Sequence, residues 1–381
     1  ESRRLLSQQR KKWNEFVSNS SEGPVFQRQI HMDYIIFIKL LSLLRKRLNN
    51  RICEYPGIPI IPEIRLYATL CLLVEPDFTD VLAFCGVPTK LFCQVAMETV
   101  HVIIESKAPE LQIKFPKTED ECLAAACGFQ TISYQQAIDT CVCVIDGYHL
   151  AMDEPTDAEN CVPDEFFSTF DDCYGINIQG ASDHQGRFLY LGIGGPGSRE
   201  DDEALVECPL GDLIENLPGN FCAISDCGYV PTEHVIPMFG DDQAQIPRNK
   251  SFNSYAAECR NQIDNAFGLM FRNWTFVQDF LPCCPTQAWI FIECVGRLHN
   301  FCIDEDLLNN IPPPTDGNKY FHEVHAAVRQ AKADLRYNEY LSNENIQKSK
   351  NRNRLVARIA SKCLKHPDEA STKSEQAIDQ A

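Results

Sequence analysis

Three aspartates stand where the chain could bring carboxylates together. Asp146 ends the apolar run VCVID and Asp226 ends the run FCAISD, a pattern typical of a buried strand that stops at a charged residue. Asp264 lies in QIDNAFG, within a segment that has the apolar spacing of a helix. Two strand-end carboxylates and one helical carboxylate can hold a pair of Mg²⁺ or Mn²⁺ ions for phosphodiester chemistry. The sequence therefore predicts a two-metal site made of these three residues.

The elements around these aspartates follow the order of an RNase H-like α/β fold. Strand, strand, strand, helix, strand and then helices predict a mixed sheet that is flanked by helices. In this order the first strand lies at the centre and the fourth lies beside it, so that their ends bring two aspartates together. The strands are predicted at 141–145, 174–182, 187–193 and 221–225, with helices at 201–215 and 254–272.

Composition and chain breaks predict four segments. The proline-rich stretch EYPGIPIIP cannot continue a helix and closes a basic N-terminal region. Apolar spacing on either side of Gly86 fits a helix-turn-helix, and it also fits a helical hairpin that packs on the next domain. The predicted ranges are 1–62 for the basic arm and helix, 63–139 for an all-helical, helix-turn-helix-like domain, 140–302 for the RNase H-like domain, and 303–381 for a helical extension with a basic, partly disordered tail.

The charge distribution argues against a simple DNA-binding surface. Net charge is −18, and residues 146–215 hold 17 acidic and 2 basic side chains. A DNA-binding face needs the opposite sign. Three explanations stay open. Metal ions neutralise the acidic centre, or DNA is held by the N-terminal basic clusters and residues 344–365, or the chain has lost DNA binding.

Cysteine usage and hydropathy indicate a reducing, intracellular setting. The 19 cysteines are an odd number in a long chain, and no two of them have the CxxC spacing of a zinc site. Most of them lie in apolar strings, where cysteine acts as a small buried hydrophobe. We find no apolar leader and no apolar run long enough to cross a bilayer, so we expect no membrane association.

A set of ordered strings resembles the Harbinger-type transposases, which belong to the DDE superfamily of endonucleases. The strings are IDGYHL, CYGINIQGASDHQGRF, PGSREDDEAL, SDCGYVPTEHVIPMF, QIDNAFGLM and CVGRLHNFC, and the likeness runs from about residue 63 to residue 302. The resemblance implies a nuclear enzyme that uses two divalent metal ions, Mg²⁺ or Mn²⁺, to cut and join DNA. It also implies a Myb-like DNA-binding partner protein in many members, and we add a homo-oligomer as a further expectation.

The resemblance also assigns roles to the three aspartates. By motif, Asp146 resembles the first catalytic aspartate and Asp226 the second, whereas Asp264 stands where the family usually has glutamate. The aspartate arm is one methylene shorter, and a displacement of ~1 Å can cost ~100-fold in rate. Two functions therefore stay open. One is a metal-dependent DNA endonuclease and transposase, and the other is a catalytically decayed or repurposed DNA- or protein-interaction module.

Three further residues near the aspartates have more than one interpretation. Arg260, one helical turn before Asp264, could orient that carboxylate, contact a phosphate, or be ordinary helix-surface charge. Asp201 is interpreted as the cap of the helix that it precedes. His149 is interpreted as a solvated loop residue rather than as a metal ligand.

Overall fold

The computed structural model describes residues 2–20, 24–50, 60–74, 89–155, 162–277, 285–308 and 350–361. The chain forms two compact units. One comprises Glu1–Ile113, Ala151–Asp153 and Leu269–Pro313, and the other comprises Lys114–Leu150, Glu154–Gly268 and Pro314–Ala381. The four segment boundaries drawn from the sequence stay predictions.

The first unit is helical. Its helices include α1 (Ser2–Ser20), α2 (Pro24–Ile30), α3 (Tyr34–Asn50), α4 (Pro62–Val74) and α5 (Thr89–Ile104). Buried aromatic rings join the first four, with the Phe26 and Tyr67 ring centroids 5.2 Å apart and those of Trp13 and Phe37 5.7 Å apart. The predicted N-terminal helical region is thus present. The first helix of the predicted helix-turn-helix falls in 75–88, outside the described residues, so that motif stays a prediction.

The second unit is built on a mixed sheet. Its strands are β1 (Cys141–Ala151), β2 (Phe167–Ser168), β3 (Cys173–Ser182), β4 (Phe188–Pro196), β5 (Cys222–Ser225) and β6 (Val235–Pro237). The strand order is β2-β3-β1-β5-β6, with β4 paired to β3. Strand β1 runs parallel to β5, and β3 is antiparallel to both β2 and β4. Because β1 is apolar almost throughout, it takes the buried central position, as the sequence predicts.

Helices cover both faces of this sheet. The helices of this unit are α6 (Glu119–Ile132), α7 (Pro163–Phe166), α8 (Asp201–Glu207), α9 (Pro209–Glu215), α10 (Asp241–Ala244) and α11 (Pro247–Asn273), which begins in it. Along the chain, α12 (Pro285–Asp304) belongs to the helical unit and packs against α5, and α13 (Lys350–Ser361) belongs to the unit with the sheet. A core of β1, β3 and β5 side chains packs on α6, α8 and α9. A capping box starts α6, because Thr118 and Glu121 each accept a hydrogen bond from the backbone of the other.

The long helix α11 lies on the opposite face. A Cβ at Gly180 of β3 would come within 2.6 Å of the Phe267 ring of α11, so the helix approaches the strand closely at this glycine. The neighbouring Ala181 belongs to the core with α8 and α9, and successive residues of a strand face opposite sides of a sheet. The RNase H-like α/β fold predicted from the sequence is therefore confirmed.

Cysteines are part of this core rather than cross-links. The 13 cysteines that the structure describes carry thiols rather than disulfides, and those of the central strands, Cys141, Cys143 and Cys222, are fully buried. Burial raises the pKa of each of these three thiols, to about 12 for Cys222. A neutral buried thiol packs as a small apolar group, as predicted.

The basic C-terminal stretch is partly structural. The guanidinium of Arg352 in α13 is buried and lies 4.5 Å from the centroid of the Phe239 ring, an arrangement suited to a cation–π contact. Arg354 of the same helix donates to the Asn220 side chain. Of the helices that the structure describes, none is both long and apolar enough to span a bilayer.

Candidate active site

Asp146 and Asp226 come together because two central strands run in parallel. Strand β1 pairs with β5 in a register that joins Val144 to Ile224. Two residues further along, the same register sets Asp146 beside Asp226, and paired strands lie about 4.8 Å apart. The Asp146 side chain is fully buried, and Asp226 is 9% exposed.

Short backbone contacts fix both carboxylates. The Gly147 amide donates to Oδ1 of Asp146 at 3.0 Å, and the Gly228 amide donates to Oδ1 of Asp226 at 2.9 Å. The predicted position of Asp146 at the end of a strand is wrong, because β1 continues to Ala151. The pairing of β1 with β5 nevertheless stops near this residue, since β5 ends at Ser225. Asp146 therefore lies inside β1, near the point where the pairing of β1 with β5 ends.

The pKa of the Asp226 carboxyl is raised above its usual value. Burial raises the pKa of its carboxyl, and the negative charges of Asp146 and Asp201 raise it further. The Arg260 guanidinium and the Gly228 amide act in the opposite direction, and the resulting pKa is about 7. Two close carboxylates in a buried site cannot both ionise without cost.

Arg260 links Asp146 to Asp264. Its Nη2 atom lies 3.0 Å from Oδ2 of Asp146, and its Nη1 atom lies 2.6 Å from Oδ2 of Asp264, one turn further along α11. Burial alone would lower the pKa of the guanidinium, but the charges of Asp146, Asp264 and Asp226 raise it above its usual range. The three aspartates thus belong to one charged network, in which Asp264 reaches the other two through Arg260.

Asp201 is a fourth carboxylate at the site. Its Oδ1 atom accepts from Nδ2 of Asn177 at 2.8 Å and from Nε2 of Gln179 at 3.4 Å. The same oxygen lies 1.8 Å from where a Cβ on Gly147 would be, and only a glycine leaves that space. The interpretation of Asp201 as a helix cap is wrong, because Glu200 is the N-cap residue of α8.

The network behind Asp201 ends on a buried tyrosine. Gln179 donates to Oδ1 of Asn177 at 2.9 Å and accepts from the Tyr229 hydroxyl at 2.9 Å. Burial raises the pKa of Tyr229 well above its usual value, and the charges of Asp201 and Asp146 add to this effect. The sequence carries a signal for this network: Asn177 and Gln179 alternate in the otherwise apolar strand β3, where polar residues two apart face the same side.

Replacing Gly147 by Ala tests whether the position of Asp201 matters for function. The new methyl group would displace the Asp201 carboxylate, which sits at the end of a movable side chain, so we expect little loss of stability. We expect metal-dependent DNA nicking to fall roughly 10-fold to 100-fold, in line with the cost of ~1 Å misplacements in active sites. The control is Gly268→Ala in α11, where an added Cβ meets no atom within 4 Å. Equal nicking rates for the two variants and the original protein would remove Asp201 from the site.

His149 contacts an aspartate that is not one of the four at the candidate site. It belongs to β1, its side chain is 7% exposed, and its Nδ1 atom lies 3.5 Å from Oδ2 of Asp171. Its ring fills the space beside Gly175 and Gly197, where an added Cβ would approach Nε2 within 2.4 Å and 2.7 Å respectively. The interpretation of His149 as a solvated loop residue is therefore wrong.

The residues fit a divalent cation in chemistry but not yet in arrangement. Oxygen ligands on adjacent strand positions suit Mg²⁺ or Mn²⁺. Over the residues that the structure describes, no group of three or more His, Cys, Asp or Glu side chains is grouped so that it could hold a metal ion. The reason on the Asp146 side is visible, because one of its oxygens is in an ion pair with Arg260. A cation at Asp146 requires this guanidinium to move.

Comparison with known proteins defines the class of this site. Residues 145–300 match the family model described as DDE superfamily endonuclease, and this stretch includes all four aspartates and Arg260. The match supports a DDE superfamily endonuclease domain over this stretch. Neither the curated proteins nor the solved structures yield a significant match.

Proposed function

We propose that this chain is a Harbinger-type DDE transposase that cuts and joins DNA with the help of two divalent metal ions. The observation that carries the proposal is the pair of buried carboxylates, Asp146 and Asp226, set side by side by parallel strands within the region that matches the superfamily. An RNase H-like fold alone hosts several activities, so the site rather than the fold supports this function.

Asp146 and Asp226 would hold the cations, with Asp264 completing the site once Arg260 has moved. When bound, divalent ions activate a water or a 3′-hydroxyl and stabilise the leaving oxygen of the phosphodiester. This chain supplies the rigid strands that fix the carboxylates, and it supplies Asn177 and Gln179, which orient Asp201. A cation bound beside Asp226 would favour the carboxylate form of this residue over the protonated form.

DNA would be held away from the acidic centre. The exposed basic side chains Arg10, Lys11 and Lys12 lie on α1, and they are suited to phosphate contacts. The C-terminal stretch contributes less than its composition suggests, because Arg352 is buried against Phe239. A nuclear location, a Myb-like partner and assembly into a homo-oligomer belong to the same proposal.

A nicking assay tests the proposal. Supercoiled plasmid is incubated with the full chain and Mg²⁺ or Mn²⁺, and we expect nicked circles to accumulate with either ion and not with EDTA. Nicking that persists in EDTA would contradict metal dependence. The absence of nicking under all conditions, with a folded protein, would favour the second candidate function.

That second candidate is a non-catalytic DNA- or protein-interaction module that keeps the fold. The contact of Arg260 with both Asp146 and Asp264 favours it, because an internal cation already balances the carboxylates. The two candidates differ in whether added Mn²⁺ binds at Asp146, which can be measured without any DNA.

Replacing Asp264 by Glu is expected to raise nicking roughly 10-fold. The resembling family has glutamate at this position, and the longer arm reaches further from α11 towards Asp146 and Asp226. The measurement compares nicking rates of the two proteins at saturating Mn²⁺. The control is Asp241→Glu, the same change at an exposed residue of α10. A lower rate for Asp264→Glu at an unchanged melting temperature would mean that the site is adapted to aspartate.

A further inference from the structure

Arg260 supplies positive charge to two of the site's carboxylates. Its guanidinium lies between Asp146 and Asp264, and each contact uses a different Nη atom. The Asp146 carboxylate is fully buried, whereas the Arg260 and Asp264 side chains are 18% and 31% exposed. The guanidinium therefore reaches the buried acid from the more open side of the cluster.

The two contacts differ in how easily they can break. Arg260 and Asp264 are four residues apart on α11, a spacing that keeps their side chains adjacent whatever happens at the sheet. The contact with Asp146 bridges from the helix to β1, over 114 residues of sequence, and depends on the side-chain conformation of Arg260. Rotation of the arginine can release Asp146 while the pair with Asp264 is kept.

A guanidinium and a divalent ion would neutralise the same buried carboxylate. Asp146 is fully buried and is paired with Arg260, so its charge is balanced from within the chain. A guanidinium supplies one unit of charge in a planar fork, and a divalent ion supplies two units on a point. Because both would pair with the Asp146 carboxylate, they would compete for it.

We propose that Arg260 is a positioning residue and an internal competitor of the metal: its guanidinium and a divalent cation are alternative partners of the Asp146 carboxylate. Asp264 tethers the arginine at the edge of the site after the exchange. Once released, the Nη2 atom would be available to donate to an oxygen of a DNA phosphate. This inference rests on the proposed function, since it concerns the same carboxylates.

The test is Mn²⁺ binding to the full chain without DNA, measured by calorimetry and by the electron paramagnetic resonance of free Mn²⁺. We expect Arg260→Gln to bind Mn²⁺ at least 10-fold more tightly than the original protein, because the competitor is gone. Arg260→Lys, which keeps a positive charge without the fork, should fall between them. Arg199→Gln, which removes the arginine of an exposed ion pair with Glu207, is the matched control and should not change the affinity.

The outcomes separate this inference from the proposed function. Equal or weaker Mn²⁺ binding by Arg260→Gln, in a protein with an unchanged circular dichroism spectrum, overturns the competition. If Asp146→Asn binds Mn²⁺ as well as the original protein does, the proposed function fails instead. Should Arg260→Gln fail to fold, nitrogen-15 resonances of the arginine side chain in the original protein decide. We expect rotation about the Cζ–Nη bonds of Arg260 to be hindered in EDTA and faster in Mg²⁺, and no change would contradict the exchange.

Discussion

Asp146→Asn is expected to reduce metal-dependent nicking at least ~1,000-fold. The substitution removes a ligand charge at a fully buried position while keeping the shape of the side chain. If the loss of metal-held charge costs the transition state about 4 kcal/mol, the rate falls by about three powers of ten. Asp226→Asn should have an effect of the same size, since the proposed function has both carboxylates hold the cations. The measurement is the initial rate of plasmid nicking at several Mn²⁺ concentrations.

Two observations keep this test informative. Asp212→Asn on α9 makes the same chemical change at an exposed residue and should leave nicking unchanged. The circular dichroism spectra of the three variants must match that of the original protein, because Asp146→Asn also breaks the ion pair with Arg260. Undiminished nicking by either site variant would mean that the activity arises elsewhere in the chain or in a contaminant.

Asp226→Asn is expected to stabilise the metal-free protein at neutral and alkaline pH. Burial and two neighbouring carboxylates raise the pKa of Asp226 to about 7 from an unfolded value of 3.8. Between these values the folded state binds more protons than the unfolded state, so the free energy of unfolding falls as pH rises through this window. At pH 8 the accumulated loss is up to about 4 kcal/mol, by the conversion of about 1.4 kcal/mol for each pH unit. An asparagine does not ionise and avoids this loss.

Urea unfolding in EDTA and a thiol reductant measures the effect. The original protein should be less stable at pH 8 than at pH 5, and for Asp226→Asn this contribution to the difference should disappear. Asp212→Asn again serves as the control for the chemical change itself. If Asp226→Asn is less stable than the original protein at pH 8, then the folded state compensates the ionised Asp226 carboxylate, and its pKa is not raised.

The sheet and two of its carboxylates could be predicted because they depend on local patterns. The apolar run before Asp146 specifies a central strand, and the run before Asp226 specifies its parallel neighbour. A side-by-side placement of the two aspartates then follows from strand order alone. The capping box at Thr118 was equally accessible, because it needs only residues three apart.

The contacts of Arg260 and Asp201 could not be predicted in the same way. Whether Arg260 points to Asp146 or to solvent depends on how α11 crosses the sheet, which close packing at Gly180 and Phe267 decides. Asp201 looks like a cap because it starts a helix. Its carboxylate instead occupies the space that the missing side chain of Gly147 leaves at the site. The sequence does not show that His149 lies in a strand, because a glycine precedes it by two residues. Strand β1 continues beyond Gly147 because it pairs with β3.

Folding of the sheet protects the thiols of its central strands from oxidation. Cys141, Cys143 and Cys222 are unreactive while the sheet is closed, since the thiolate is the reactive form and burial suppresses it. On unfolding, these and the other cysteines regain ordinary acidity together. Dissolved oxygen can then oxidise pairs of thiols to disulfides, itself being reduced to peroxide, and exchange spreads these disulfides over many wrong pairs. In air the unfolded chain would then be trapped before it could refold, so that loss of the native state becomes a one-way event. In a reducing compartment the same opening is harmless. The rate at which a thiol reagent labels these cysteines then measures the rate at which the sheet opens.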